Sequence, residues 1–181
     1  AFEVQRFHDD RRRSPKRASA QVDARYQSVQ IIAAYFLPTL RLRRLMTRVA
    51  RRGGRVQLIL AGKSDVPMTQ LAARSLYRRL LKAGVEIYEY QPQILHAKLL
   101  LLDSAVYVGS ANLDPRSLRI NYELMVRFTN TEIVEQARAI FADTLTRCRR
   151  IELEEWRASR PWWWRGKQRW AYFLLARVDP Y

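Results

Sequence analysis

Three short apolar runs, VQIIAAY at 29–35, VQLILA at 56–61 and VEIYEY at 85–90, are separated by two segments of helical periodicity. The first two are uninterrupted rather than alternating, which marks strands covered on both faces. Pro38 opens the first intervening helix, where its missing N–H costs nothing. Leu42, Leu45, Met46 and Val49 form its apolar stripe, opposite Arg41, Arg44, Arg48 and Arg51. Gly53 and Gly54 end it. Asp65 and Pro67 start the second helix, carried by Leu71, Leu76, Leu80 and Leu81, and Gly84 closes it. A β-α-β-α-β order predicts parallel strands joined by helical crossovers.

The remainder extends the sheet. A strand is expected over Leu95–Leu102, a turn at Asp103-Ser104, a returning strand over Ala105–Val108, and a loop of small and polar residues from Gly109 to Ser117. A further strand covers Asn121–Phe128, and Thr129 and Glu132 form a capping box. That box opens a helix with Ile133, Ala137, Ile140, Phe141, Leu145 and Cys148 on its packed face. Residues 1–28, polar and basic, read as a loop followed by a short helix near 15–27. The expected class is α/β: a mixed, largely parallel sheet flanked by helices over residues 1–150, followed by an amphipathic Trp- and Arg-rich tail over 151–181.

Composition narrows the chemistry. One cysteine, Cys148, and two histidines among 181 residues argue against a disulfide framework and a zinc site. The sequence has no apolar run of the ~18 residues that a spanning helix needs. The net charge is +16, with 28 arginines against five lysines. Such an excess predicts an anionic partner, either nucleic acid or an anionic membrane surface.

One stretch gathers His96, Lys98, Asp103, Gly109, Ser110, Asn112, Asp114, Arg116, Ser117, Asn121 and Glu123. In a strand, positions i and i+2 share a face, so His96 and Lys98 point the same way. Two groups that both tend to be cationic cannot satisfy one another, and an anion between them resolves the repulsion. Ser110 and Asn112 add neutral donors suited to phosphate oxygens. Glu123 is positioned to accept from the second imidazole nitrogen, which fixes the tautomer and raises the basicity of the first.

These residues resemble the HKD motif of the phospholipase D superfamily, HxKxxxxD followed by GSxN, here HAKLLLLD and GSAN. LDPRSLRINYEL, with Asn121 and Glu123, is also similar to that superfamily. Five residues separate Asp103 from Gly109, one fewer than the family commonly has. AYFLP (34–38), RRGGRVQLILAG (51–62), SDVPM (64–68) and LYRRLLKAGVEIYEY (76–90) resemble the C-terminal half of bacterial cardiolipin synthases of the type without an N-terminal membrane anchor. The likeness covers roughly residues 22–175.

The resemblance implies two HKD motifs facing each other across one site, of which this sequence carries one, the second in type. The other motif would lie upstream in a fuller chain or in a second copy. One histidine attacks the phosphodiester phosphorus to form a phosphohistidine, and the other acts as general acid and base. By the same resemblance His96 is the general acid–base, Lys98, Ser110 and Asn112 hold the phosphate, and Glu123 orients His96. Asp103 braces the strand turn or takes a direct part. No metal or other cofactor is implied. The expected reaction converts phosphatidylglycerol into cardiolipin, at the cytoplasmic face of the inner membrane.

The tail combines Trp162, Trp163, Trp164 and Trp170 with Arg165 and Arg169. Tryptophan favours the headgroup level of bilayers, and arginine is drawn to anionic lipid. An in-plane, peripheral membrane contact is expected, against the alternative that the tryptophans pack back on the domain. Two rival functions stand beside the synthase. One is a homodimeric single-motif endonuclease on DNA, which the net charge suits. The other is a non-catalytic lipid-binding half.

Overall fold

The computed structural model describes residues 2–7, 26–114, 117, 122–158, 166–167, 170–173 and 175. Its strands are β1 (Phe2–Phe7), β2 (Ser28–Ala33), β3 (Arg55–Ala61), β4 (Glu86–Tyr90), β5 (Lys98–Leu102), β6 (Ala105–Gly109), β7 (Glu123–Phe128) and β8 (Cys148–Ile151). The helices are α1 (Leu40–Arg51), α2 (Pro67–Leu81), α3 (Thr131–Thr146) and α4 (Leu153–Ala158).

All eight strands form one sheet, in the order β1-β7-β6-β5-β2-β3-β4-β8. The expected mixed α/β sheet is present, and the three central runs and two crossover helices fall where the periodicity puts them. The expectation that it is largely parallel is corrected. Only β2–β3 and β3–β4 are parallel, while the five other pairings are antiparallel. Parallel pairing needs a crossover, which helices supply from β2 to β3 and from β3 to β4; β5 and β6 reverse through a two-residue turn, and the remaining pairs bring together strands distant in sequence that run in opposite directions.

Alternation along the central strands splits the core into two layers. Val29, Ile31, Val56, Leu58 and Leu60 meet Met46 and Val49 of α1 and Leu76, Tyr77 and Leu80 of α2. Ile32, Ile59, Tyr88, Tyr90, Leu99, Leu101 and Val106 meet Val134, Ala137 and Phe141 of α3 on the other face. Gln30, Gln57 and Glu86 stand side by side across β2, β3 and β4. They hydrogen-bond in series at 2.9 Å each, which satisfies the buried amide of Gln57.

Several local expectations need correction. Residues 2–7, read as loop, form β1 and pair antiparallel with β7; the helix expected near 15–27 falls mostly outside the described residues. Asn130, not Thr129, caps α3, its side chain accepting from the Ile133 N–H. The packed face of α3 is Val134, Ala137 and Phe141, whereas Ile133 and Ile140 are exposed. Val134, Ala137 and Phe141 follow the i, i+3, i+7 spacing of one helical face, and Ile133 lies ~100° round from Val134. Cys148 begins β8 rather than continuing α3.

Sheet pairing continues across residue 150, since β8 pairs with β4, and Trp156 of α4 stacks on Tyr77 with ring centroids 4.8 Å apart. Of the tail, Ala171, Tyr172 and Leu175 pack against Leu37, Leu71 and Ala72, with the Arg43 guanidinium 5.3 Å from the Tyr172 ring centre. Trp170 and Phe173 are exposed. Trp162, Trp163, Trp164, Arg165 and Arg169 lie outside the described residues. Among the described helices none is long and apolar enough to cross a membrane.

Candidate functional site

Register decides what meets at the site. In the antiparallel β2–β5 pair, Ala33 stands opposite Lys98. The ladder ends there, so His96 precedes β5 on an extended lead-in rather than lying within a strand as expected, and its side chain is exposed. Tyr35, two residues beyond the end of β2, meets His96, two residues before the start of β5. The two rings meet edge to face, with centroids 6.4 Å apart.

Lys98 folds back so that its Nζ donates to the His96 carbonyl at 2.8 Å. Burial lowers the ammonium pKa from its usual value, while the nearby negative charge of Glu123 opposes that shift. Lysine, histidine and the Gly-Ser-x-Asn loop thus come together at one end of the β5–β6 hairpin.

That loop is pinned from both sides. The Ser110 N–H donates to the Leu124 carbonyl at 2.9 Å, and the Leu124 N–H donates back to Ser110 Oγ at 3.1 Å. The Ser110 hydroxyl donates to the Glu123 carboxylate in a short hydrogen bond. Glu123, expected to orient His96, anchors Ser110. Downstream, the Leu37 N–H donates to the Leu113 carbonyl at 2.8 Å, and Asp114 accepts from the Ser117 N–H at 2.9 Å. Asn112 Oδ1 is buried with no hydrogen-bond partner among the described residues. A buried amide in that condition has bonding capacity left for a ligand, as acceptor or, with the amide turned over, as donor.

Gly109 permits this arrangement. A Cβ there would lie 2.0 Å from the Leu124 carbonyl oxygen and 2.8 Å from Met125 Sδ. Only a residue without a side chain lets β6 approach β7 closely enough to hold Ser110.

His96, Lys98, Ser110 and Asn112 line one end of a groove of about 770 Å³. The rest of its lining is mostly apolar, with Val106 and Val108 from β6 and Ile133, Ala137 and Ile140 from α3, and with Gln136 of α3 as the polar exception. The two isoleucines that do not join the core are thus groove wall.

Asp103 is not brought to this cluster. It sits at the opposite end of β5, roughly 20 Å from His96 at the rise of an extended chain. There its carboxylate accepts from the backbone N–H groups of Gln27 (3.2 Å) and Ser28 (2.7 Å), tying the hairpin turn to the start of β2. Its φ of +42° is tolerated by an aspartate in a tight turn. Arg116 and Asn121 lie outside the described residues. No group of three His, Cys, Asp or Glu side chains suited to a metal ion occurs among the described residues.

Sequence reasoning passed over two residues at the site. The Tyr35 hydroxyl contacts both carboxylate oxygens of Asp65 at 2.8 Å, and Asp65 lies in the loop after β3, close enough to His96 to feel its charge. Both follow the carboxyl ends of adjacent parallel strands, where α/β sheets collect their ligands. That position was the available signal.

Comparison with known proteins places this geometry. Residues 19–145 match the family described as "Cardiolipin synthase, PLD-like domain". Cardiolipin synthase B of Salmonella typhi is 38% identical over 142 residues, covering 76% of this chain and 33% of that protein. A probable cardiolipin synthase of Bacillus subtilis is 33% identical over 125 residues, covering 68% and 25%. The chain thus spans about a third of the length of such curated relatives or less. Among solved structures, the phospholipase D family member Nuc of Salmonella typhimurium superposes with a TM-score of 0.68 at 16% identity, covering 84% of this chain and 99% of that one. Phosphatidylserine synthase of Haemophilus influenzae gives 0.69 at 14% identity, over 99% and 46%.

Proposed function

Because the chain belongs to the cardiolipin synthase, phospholipase D-like domain family, we propose that its groove carries one half of a phosphatidyl-transfer site, making cardiolipin from two molecules of phosphatidylglycerol. The observation that carries this reading is the convergence of His96, Lys98, Ser110 and Asn112 at one end of a groove whose remaining lining is mostly apolar. A lipid phosphodiester is an anion attached to apolar chains, and the groove offers polar donors and apolar wall in that order.

The Lys98 ammonium and the Ser110 and Asn112 side chains hold the non-bridging phosphate oxygens, and so favour the extra charge of the transition state. A nucleophilic imidazole from the second HKD motif, upstream or in another copy, forms a P–N bond as the P–O bond to glycerol breaks. His96 gives its proton to the departing glycerol oxygen. In the second step the hydroxyl of another phosphatidylglycerol gives a proton back to His96 while its oxygen displaces the P–N bond. Apolar walls keep water from competing with that hydroxyl. Asp103 serves as a brace, given its distance from the groove.

The basic, tryptophan-rich tail supports a peripheral contact with anionic lipid at the cytoplasmic face of the inner membrane. The exposed rings of Trp170 and Phe173 fit that role, and Tyr172 anchors the segment to the domain.

Expression in bacteria lacking their own cardiolipin synthases, with lipid mass spectrometry, tests the proposal. Cardiolipin is expected from this sequence, alone or extended upstream to include another HKD motif, and none from the matching His96→Ala variant. Absence of cardiolipin from both lengths, or its persistence without His96, overturns the reading.

A further inference from the structure

Outside the groove, large apolar side chains stand exposed at the starts of two helices and on the tail. Leu40 opens α1, Val66 and Met68 flank the first residue of α2, and Trp170 and Phe173 lie one helical turn apart; each is 40–67% exposed. The packing of the tail brings them together. Ala171, Tyr172 and Leu175 rest on Leu37, Leu71 and Ala72, and the Arg43 guanidinium covers the Tyr172 ring. Leu40 precedes Arg43 by three residues, and Met68 precedes Leu71 and Ala72 by three and four. Each therefore lies on the helix face that receives the tail, one turn nearer the helix start. The surface also borders the site. Val66 follows Asp65, whose carboxylate accepts from the Tyr35 hydroxyl at 2.8 Å, and the Tyr35 ring meets His96 edge to face. Leu37, beneath the tail, donates its N–H to the carbonyl of Leu113, next to Asn112.

The charge around this apolar tip is basic. Arg41, Arg44, Lys63 and Lys167 are exposed near it, and neither α1 nor α2 has an acidic residue in its first turn. Asp65 is the acidic neighbour, and Tyr35 engages it. Resting on the phosphatidyl-transfer reading, we propose that the starts of α1 and α2, with Trp170 and Phe173, form one surface that enters the headgroup layer of an anionic bilayer. The His96 end of the sheet is thereby turned towards the membrane, and lipid passes to the groove across the same rim. Apolar side chains collared by cations match such a layer, with its acyl boundary beneath a plane of phosphates. A second copy docking through the same surface would set these cations against their own kind.

Sedimentation of the purified protein with mixed phosphatidylglycerol and phosphatidylcholine vesicles tests the assignment. The triple variant Leu40→Gln, Val66→Ser, Met68→Gln is expected to lower vesicle partitioning about tenfold, the loss of roughly two buried methylene groups. Arg78 and Arg79 lie in the last turn of α2 and Lys82 caps it, roughly 18 Å from the tip at the rise of a helix. That exceeds the ~8 Å reach of a surface charge at physiological salt, so changing all three to Gln alters partitioning by less than about twofold. A fluorophore attached at Met68→Cys, in a Cys148→Ser background, is expected to shift to the blue on these vesicles, and one at Arg79→Cys is not. Failure of the parent to bind, equal partitioning of parent and tip variant, or a larger loss from the Arg78, Arg79 and Lys82 changes overturns the inference. So does a blue shift from the Met68→Cys label that grows with protein concentration without lipid, which marks a second copy as the occupant. Partitioning needs no turnover: absent cardiolipin synthesis with the tip effect intact condemns the proposed reaction and spares the docking surface.

Discussion

Replacing Gly109 by alanine adds one carbon atom at the tightest point of the site. That carbon would meet the Leu124 carbonyl oxygen at 2.0 Å, against about 3.3 Å for the closest ordinary carbon–oxygen contact. β6 and β7 must therefore separate by about 1.3 Å at this point. The backbone of both strands blocks any escape by rotation of a flexible side chain. The Ser110–Leu124 pair of hydrogen bonds, at 2.9 and 3.1 Å, spans that gap and does not survive it. At ~1 kcal/mol for each bond the loss of stability is about 2 kcal/mol. The effect on turnover is larger in proportion, because Ser110 and Asn112 follow Gly109 directly and a misplacement near 1 Å costs roughly 100-fold in rate. Urea denaturation and cardiolipin formation by the same preparation measure both. Gly53→Ala is the control. Its φ of +87° costs about 1 kcal/mol, with no atom within 4 Å of the new carbon, and activity is unchanged. If Gly109→Ala keeps parental stability and turnover, the close approach of β6 to β7 is not what sets the loop.

Other expectations follow from buried and paired groups. Glu89, 2% exposed, accepts from Arg74 at 2.8 and 3.0 Å, so Arg74→Met leaves a buried charge short of its main partner and lowers stability by ~3–5 kcal/mol in urea denaturation. Hydrogen bonds from Tyr88, Arg55 and Gln57 outweigh burial and hold Glu86 below its usual value of 4.5. That stabilisation is present above pH 4.5 and is lost as pH falls through the lower folded value, so Glu86→Gln flattens the acid limb of a stability–pH curve. Burial raises the Cys148 thiol from 9.0 to about 11, which cuts its thiolate near pH 8 by roughly 100-fold. Iodoacetamide is expected to label the folded protein far more slowly than the urea-unfolded chain.

Much of the fold was legible because its centre obeys local rules. Uninterrupted β-branched runs, Pro67 at a helix start and Gly53 and Gly84 at helix ends act within a few residues, and the structure follows them. The edges were less legible. FEVQRF at 2–7 and CRRI at 148–151 mix charged with apolar residues, and their partners β7 and β4 lie far away in sequence. At the site, spacing alone brought His96, Lys98, Ser110 and Asn112 together. Tyr35 and Asp65 carry no spacing signal, since Tyr35 reaches His96 from beyond the end of β2 and Asp65 reaches Tyr35 from beyond the end of β3. Asp103 shows the converse: a motif position that local geometry assigns to bracing.

The central claim is that His96 serves phosphatidyl transfer between lipids. Its most direct test gives purified protein, with whichever upstream HKD sequence supports activity in cells, to phosphatidylglycerol vesicles, and quantifies lipid and glycerol together. The account predicts cardiolipin and free glycerol in equal amounts, both lost in His96→Ala. Phosphatidic acid as the main product, or no lipid product together with His96-dependent nicking of plasmid DNA, contradicts it.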